Sequence, residues 1–177
     1  MKKTVIVCGL IAGFIVSAIM IISIVTCYNN PDMKGSMLLG YASMILAFSM
    51  VFVGIKNTRD NYYGGVISFG KAFKTGLFIT LIASTIYVLA WLIEYYAFIP
   101  DFMEKYTAHA LNAAKESGMT PAEIEKQVKD METYKELYKN PLFVILLTYA
   151  EILPVGLLVV LAASLILKRK EKKEQTA

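Results

Sequence analysis

The sequence predicts an all-α integral membrane protein: a four-helix transmembrane bundle with an extracytoplasmic helical hairpin between helices three and four. Three observations carry that expectation. Apolar residues make up 56% of a 177-residue chain in which only 18% are charged, and they are gathered into four long blocks almost free of charge. The basic residues stand mostly beside those blocks. One polar stretch, residues 101–140, separates the third block from the fourth. Long uncharged runs belong in lipid, because a helix satisfies its own backbone N–H and C=O groups where water is absent.

The first block, residues 4–28, carries no charge, and at about 1.5 Å per residue it can cross a hydrocarbon core of about 30 Å. A signal peptide cleaved after this block would have an apolar region of only about 7 to 15 residues. A lipoprotein signal ending at Cys27 would need a small residue just before it, where Ile24, Val25 and Thr26 stand. The block is therefore expected to stay as a span. Asn29, Asn30, Pro31 and Asp32 form a turn cluster. The second span, 37–55, is followed at once by Lys56 and Arg59. Residues 57–73 place Gly64 and Gly65 among polar and aromatic residues and read as a connection, with a short interfacial turn near Ser68. Those glycines lack the Walker lysine pattern of a phosphate loop.

The third span, 72–99, gathers Tyr87, Trp91, Tyr95, Tyr96 and Phe98 toward its C-terminal end, and such rings favour the membrane interface. Pro100 and Asp101 stop it. Within 101–140, Gly118 closes a first helix, while Thr120, Pro121 and Glu123 supply the N-cap, N1 proline and N3 carboxylate of a second. Ile124, Val128, Met131 and Tyr138 give the second helix an apolar stripe, interrupted by Lys135, for a partner helix or the headgroups. The charges on its other face read as solvated. Asn140 and Pro141 open the fourth span, 142–167, which is long enough that tilt or an outer turn in the headgroups is expected. Lys168, Arg169, Lys170, Lys172 and Lys173 lie in a basic tail, 168–177. The whole, 1–177, reads as a single membrane domain.

Cytoplasmic loops collect Lys and Arg. Lys2 and Lys3, then Lys56, Arg59, Lys71 and Lys74, then the tail all obey that bias if both termini are cytoplasmic. The other side receives the short turn and residues 101–140, whose six lysines are outnumbered by eight acids. The net charge of +4 is thus an orientation signal and does not point to nucleic acid. Cys8 and Cys27 sit in the first block and read as small hydrophobes. His109 is the single histidine, so no metal site or cofactor is expected.

Helices in lipid associate through close backbone approach at small residues. Gly9, Gly13 and Ser17 provide that spacing on the first helix, and Gly76, Thr80 and Ser84 repeat it on the third. Two carboxylates stand out, since an acid at mid-bilayer costs about 2.5 to 3.5 kcal/mol on insertion scales. Glu94, about 20 residues past Lys74, is expected at the outer interface within reach of water. Glu151 falls between the outer leaflet and the midplane and is the more exceptional of the two. Pro154 leaves the carbonyl of Ala150 without its amide partner, making a polar spot, and a kink, beside Glu151. An intramembrane polar site of Glu151, Glu94 and Pro154 reads either as a proton or ion relay or as a structural, hydrogen-bonded glutamate.

Several strings resemble one family: Gly40 to Met44 leading to Phe52, Val53, Gly54, Ile55, Lys56 and Asn57; Gly65 to Phe73; Pro100 to Met103 with Tyr106; Tyr138 to Phe143; and Glu151 to Leu157. Together they resemble the bacterial membrane proteins catalogued as domain of unknown function 4199, common in the Bacteroidetes lineage. The resemblance implies a four-helix inner-membrane protein with no assigned activity and no catalytic residues to carry over.

No Ser/His, Cys/His or metal constellation marks an enzyme. The residues point instead to a non-enzymatic accessory, assembly or interaction module. It would sit in the lipid bilayer and present residues 101–140 to an unidentified membrane partner or to a second copy. The alternative is a small oligomeric transporter or channel that uses Glu151.

Overall fold

In the computed structural model, which describes residues 1–29 and 37–169, the chain is all-α. Asn30, Pro31 and Asp32 of the expected turn, and Lys170, Lys172 and Lys173 of the tail, lie outside the described residues. The elements are α1 (Lys2–Asn29), α2 (Met37–Tyr62), α3 (Phe69–Ile93) continued by a π-helical turn (Glu94–Phe98), α4 (Phe102–Glu116), α5 (Pro121–Leu137) and α6 (Pro141–Leu167). Four helices are long and apolar enough to cross a membrane: Lys2–Tyr28, Leu38–Tyr62, Phe69–Phe98 and Pro141–Leu167.

These helices are apolar on all sides. Phe48, Val51, Ile55, Ile79, Ile152 and Val160 are wholly buried between them, whereas Phe14, Leu38, Leu158 and Ile166 point outward with about two thirds or more of their surface free. A helix apolar all round needs an apolar surround; lipid supplies it.

Close packing explains which faces turn inward. α1 lies against α3 and α2, α3 against α6, and α2 against α6. A Cβ added at Gly9 would stand 2.7 Å from Ile82 Cβ, and one at Gly13 would stand 2.7 Å from Ile86 Cδ1, so both glycines set the approach of α1 to α3. Gly76 on α3 sets the approach to α2 and α6, where an added Cβ would come within 3.1 Å of Ile55, Val51 and Val160. Gly54 on α2 and Gly156 on α6, which the spacing of small residues did not single out, are tighter still: Gly54 meets Ile79, and Gly156 meets Thr80 and Phe48.

One end of the bundle is basic. Thr4 on α1 hydrogen-bonds Asn57 on α2 at 3.3 Å, and Ile67 and Arg169 exchange backbone hydrogen bonds of 3.2 and 3.0 Å. The start of α1, the end of α2, the start of α3 and the end of α6 therefore meet, bringing together Lys2, Lys3, Lys56, Arg59, Lys71, Lys74, Lys168 and Arg169. Arg59 is buried and paired with its neighbour Asp60 at 2.6 Å. α2 runs on to Tyr62, past the expected end of the second span at residue 55, because nothing breaks the helix before Gly64 and Gly65, both at positive φ. Ser68 caps α3, its hydroxyl accepting from Lys71 N, so the connection is shorter than 57–73.

At the opposite end α4 and α5 lie against each other, joined through Gly118 at φ 75° and tied by Lys135 to Glu104 at 3.0 Å. Thr120 and Glu123 form a capping box with Pro121 at the first turn of α5. The hydroxyl of Tyr28, on α1, donates to Asp101, just ahead of α4. Lys105 stands 3.5 Å above the Tyr28 ring and 3.3 Å from Asp101.

Candidate functional site

The two carboxylates of the long apolar helices occupy different surroundings. Glu94, expected to reach water, is instead 5% exposed, and neither of its carboxylate oxygens has a hydrogen-bond partner among the described residues. Glu94 opens the π-helical turn, where its carbonyl accepts from Ile99 N at 3.1 Å, five residues on. Such a turn inserts a residue into the α-helical register and re-aims the residues beside it. Buried Tyr95, next in the turn, stacks edge-on with Tyr138 at 5.5 Å.

Glu151, by contrast, is an exposed residue that opens onto a cavity of about 600 Å³. Five helices build its wall. α1 supplies Met20 and Ile24, α3 supplies Tyr87 and Trp91, and α6 supplies Leu147, Thr148 and Glu151. α4 adds Phe102, Met103 and Tyr106, while α5 and its C-cap add Met131, Tyr134 and Tyr138. The rings brace one another: Trp91 meets Phe102 edge-on at 5.1 Å, Phe102 stacks on Tyr106 at 5.9 Å, and Tyr138 meets Phe143 at 6.2 Å. Aromatic pairs of this geometry add to the stabilisation from burial. Burial, helped by the charge of Glu151, pushes the Tyr138 hydroxyl up to about 12, so it stays neutral.

Pro154 sits inside α6, which runs through it as one helix from Pro141 to Leu167. It lies one turn beyond Glu151 on the side away from α4 and α5. On that side Thr80, Ser84 and Ser164 are fully buried with hydroxyls that have no partner among the described residues, as does Ser17 on α1. Across α3 and α6, the Thr85 and Tyr149 hydroxyls share a hydrogen bond of 2.8 Å. The structure thus brings Glu151 together with an aromatic chamber, and it leaves Glu94 outside that wall. Tyr95, the neighbour of Glu94, touches the chamber through the Tyr138 ring.

The chamber was missed from the sequence as a unit. The aromatic cluster of α3 and the Met131 and Tyr138 stripe are its visible signals in the sequence, where they point separately to an interface belt and to a partner helix or the headgroups. Among the described residues no three His, Cys, Asp or Glu side chains come together as a metal-binding group.

The profile of a family described as protein of unknown function (DUF4199) matches residues 8–169. No curated protein and no solved structure matches the chain.

Proposed function

The chain belongs to the DUF4199 family of proteins of unknown function, and from its own geometry we propose a non-enzymatic membrane binding module. It resides in the bacterial cytoplasmic membrane with both termini inside. α4 and α5 form an extracytoplasmic hairpin that closes over the cavity and faces partners.

The observation that supports this reading is the chamber itself. Its wall is drawn from five helices at one end of the bundle. Between it and the basic end, Phe48, Val51, Ile79 and Val160 are 0% exposed. A chamber closed below suits holding a guest and does not suit conduction through one chain. The basic end supports the orientation through the positive-inside bias.

Native mass spectrometry of the chain extracted in mild detergent tests the reading. A retained small molecule or lipid is expected on the native chain and not on Met131→Trp. That ring would enter the chamber from α5, none of whose residues is buried, so the bundle core is undisturbed. Equal retention in the two, or none in either, overturns it.

A second reading, an oligomeric transporter or channel, is favoured by one observation: Glu151 is exposed on α6, where a second copy could complete a path. Liposome flux through the native chain and through Glu151→Gln decides it. Equal flux, or none in either, removes the idea.

A further inference from the structure

The chamber just described has a definite electrostatic character. Among the described residues that line it, Glu151 is the only one with an acidic or basic side chain; Lys, Arg and His are absent from the wall. Lysines of this end are engaged with other groups: Lys135 with Glu104 at 3.0 Å, Lys105 with Asp101 and the Tyr28 ring, and Lys139, beside Tyr138, with Glu136 at 2.7 Å. Among the described residues no cation therefore pairs with Glu151. A carboxylate at an aromatic chamber attracts a positive guest, and the guest in turn favours the charged form of the carboxylate.

The rest of the wall points the same way. Tyr87, Trp91, Phe102, Tyr106, Tyr134 and Tyr138 all line the chamber. Aromatic faces carry negative potential and attract ammonium groups within about 6 Å. Met20, Ile24 and Leu147 supply flexible or branched apolar surface, where a hydrocarbon tail would lie. At about 600 Å³ the space is that of a small-molecule site. An anionic guest would meet Glu151 with like charge. A neutral apolar guest would cover the carboxylate without pairing it, at a desolvation cost.

We propose that this chamber is a binding site for an amphiphilic organic cation, an amine or ammonium group on an apolar tail. The ammonium sits between Glu151 and the aromatic rings, and the tail lies along Met20, Ile24 and Leu147. This rests on the reading of the chain as a binding module and names the class of its guest. The cation is either the headgroup of an aminophospholipid or a free amphiphilic amine; both present the same chemistry.

Trp91 lines the chamber and is the single tryptophan of the chain, so its fluorescence reports occupancy directly. The full chain is placed in nanodiscs of phosphatidylglycerol alone, which carry no amine, and titrated with hexyltrimethylammonium, hexanol or hexyl sulfate. The ammonium is expected to give a saturable change, and the alcohol and the sulfate are not. Glu151→Gln should weaken the ammonium by about tenfold or more, and Tyr134→Leu should weaken it with Glu151 still in place. Glu94→Gln, outside the wall, should leave the affinity unchanged.

Should hexanol match the ammonium, or should both Glu151→Gln and Tyr134→Leu bind it undiminished, the cation is wrong while the chamber stands as a binding site. No saturable response to any of the three probes, together with no adduct in native mass spectrometry, removes the binding module as well. Adding phosphatidylethanolamine to the nanodiscs separates the sources. A retained ethanolamine lipid that competes with the probe supports the headgroup, and probe binding without a lipid adduct supports the free amine.

Discussion

Glu94 and Glu151 are the same side chain in opposite settings, one buried inside the bundle and the other exposed at the chamber. Counting along an ideal helix puts Glu94 at the interface and Glu151 deeper, which makes Glu151 the costlier group. That count runs along unbroken α3 and stands, but it carries no information on the packing that covers the side chain, which only the assembled bundle supplies. Glu94 consequently carries two buried oxygens without a partner among the described residues. Leaving a buried polar group unpaired costs about 1–3 kcal/mol. Glu94→Leu should therefore melt no lower than the native chain in detergent, and about 1 kcal/mol of added stability is expected. A clear loss would mean that the carboxyl has a partner in the membrane. The glycines of α1 were legible, since their spacing reflects the close approach they permit. Gly9→Val, with Ile82 Cβ only 2.7 Å from an added Cβ, should cost about 1–3 kcal/mol by overpacking. Gly40→Ala, with nothing within 4 Å, should leave thermal unfolding unchanged or raise it slightly. Equal effects at Gly9 and Gly40 would remove the α1 to α3 contact from the account.

At the scale of elements, what could be read from the sequence was what is encoded locally. The capping box of α5 needs only Thr120, Pro121 and Glu123 in order, and it forms as those residues imply. The helix α2 continues past the apolar run 37–55 through Lys56 and Arg59, with Arg59 buried against Asp60, until Gly64 and Gly65 stop it. α5 has no buried residue, and the polar ties at the start of α4 and at the N-cap of α5 are sensitive to pH. The Tyr28 hydroxyl, and then Lys105, hold the Asp101 carboxyl below the ordinary carboxylate range, and the Thr120 backbone and hydroxyl do the same for Glu123. A carboxylate with a depressed folded value stabilises above its unfolded value, about 4, and that contribution is lost as pH falls through the folded value. Lys105 is raised by Tyr28 and then Asp101, so its contribution is full below 10.5 and is lost as pH rises through the folded value. Hydrogen exchange over residues 101–140, corrected for its intrinsic pH dependence, should be slowest between those limits and should quicken in acid while the four long helices stay protected. Thr120→Ala should reproduce the acid effect in α5 at neutral pH. Uniform protection of α4 and α5 down to pH about 3 would show that the carboxylate ties do not hold them.

For the whole molecule, the four long apolar helices were legible because lipid imposes length and polarity on each helix separately. The chamber was not, because its wall joins residues from Met20 to Glu151, and only the assembled bundle brings them together. Orientation lies between these cases. The structure collects the basic residues of four separate segments at one end and puts α4 and α5 at the other, so a single choice of side satisfies every flank at once. Inserting the bundle the other way would carry that basic cluster across the membrane against the positive-inside bias. A cysteine at Ser117, in the turn after α4, and one at Asn61, near the end of α2, are both exposed and sit at opposite ends. They are introduced singly after Cys8 and Cys27 are replaced by Ala, so that no native thiol contributes. An impermeant maleimide added to intact cells should label Ser117→Cys and spare Asn61→Cys, and permeabilisation should make the two equal. The reverse pattern would invert the orientation, placing the mouth beside α4 and α5 in the cytoplasm, and any amphiphilic cation would then be drawn from that side.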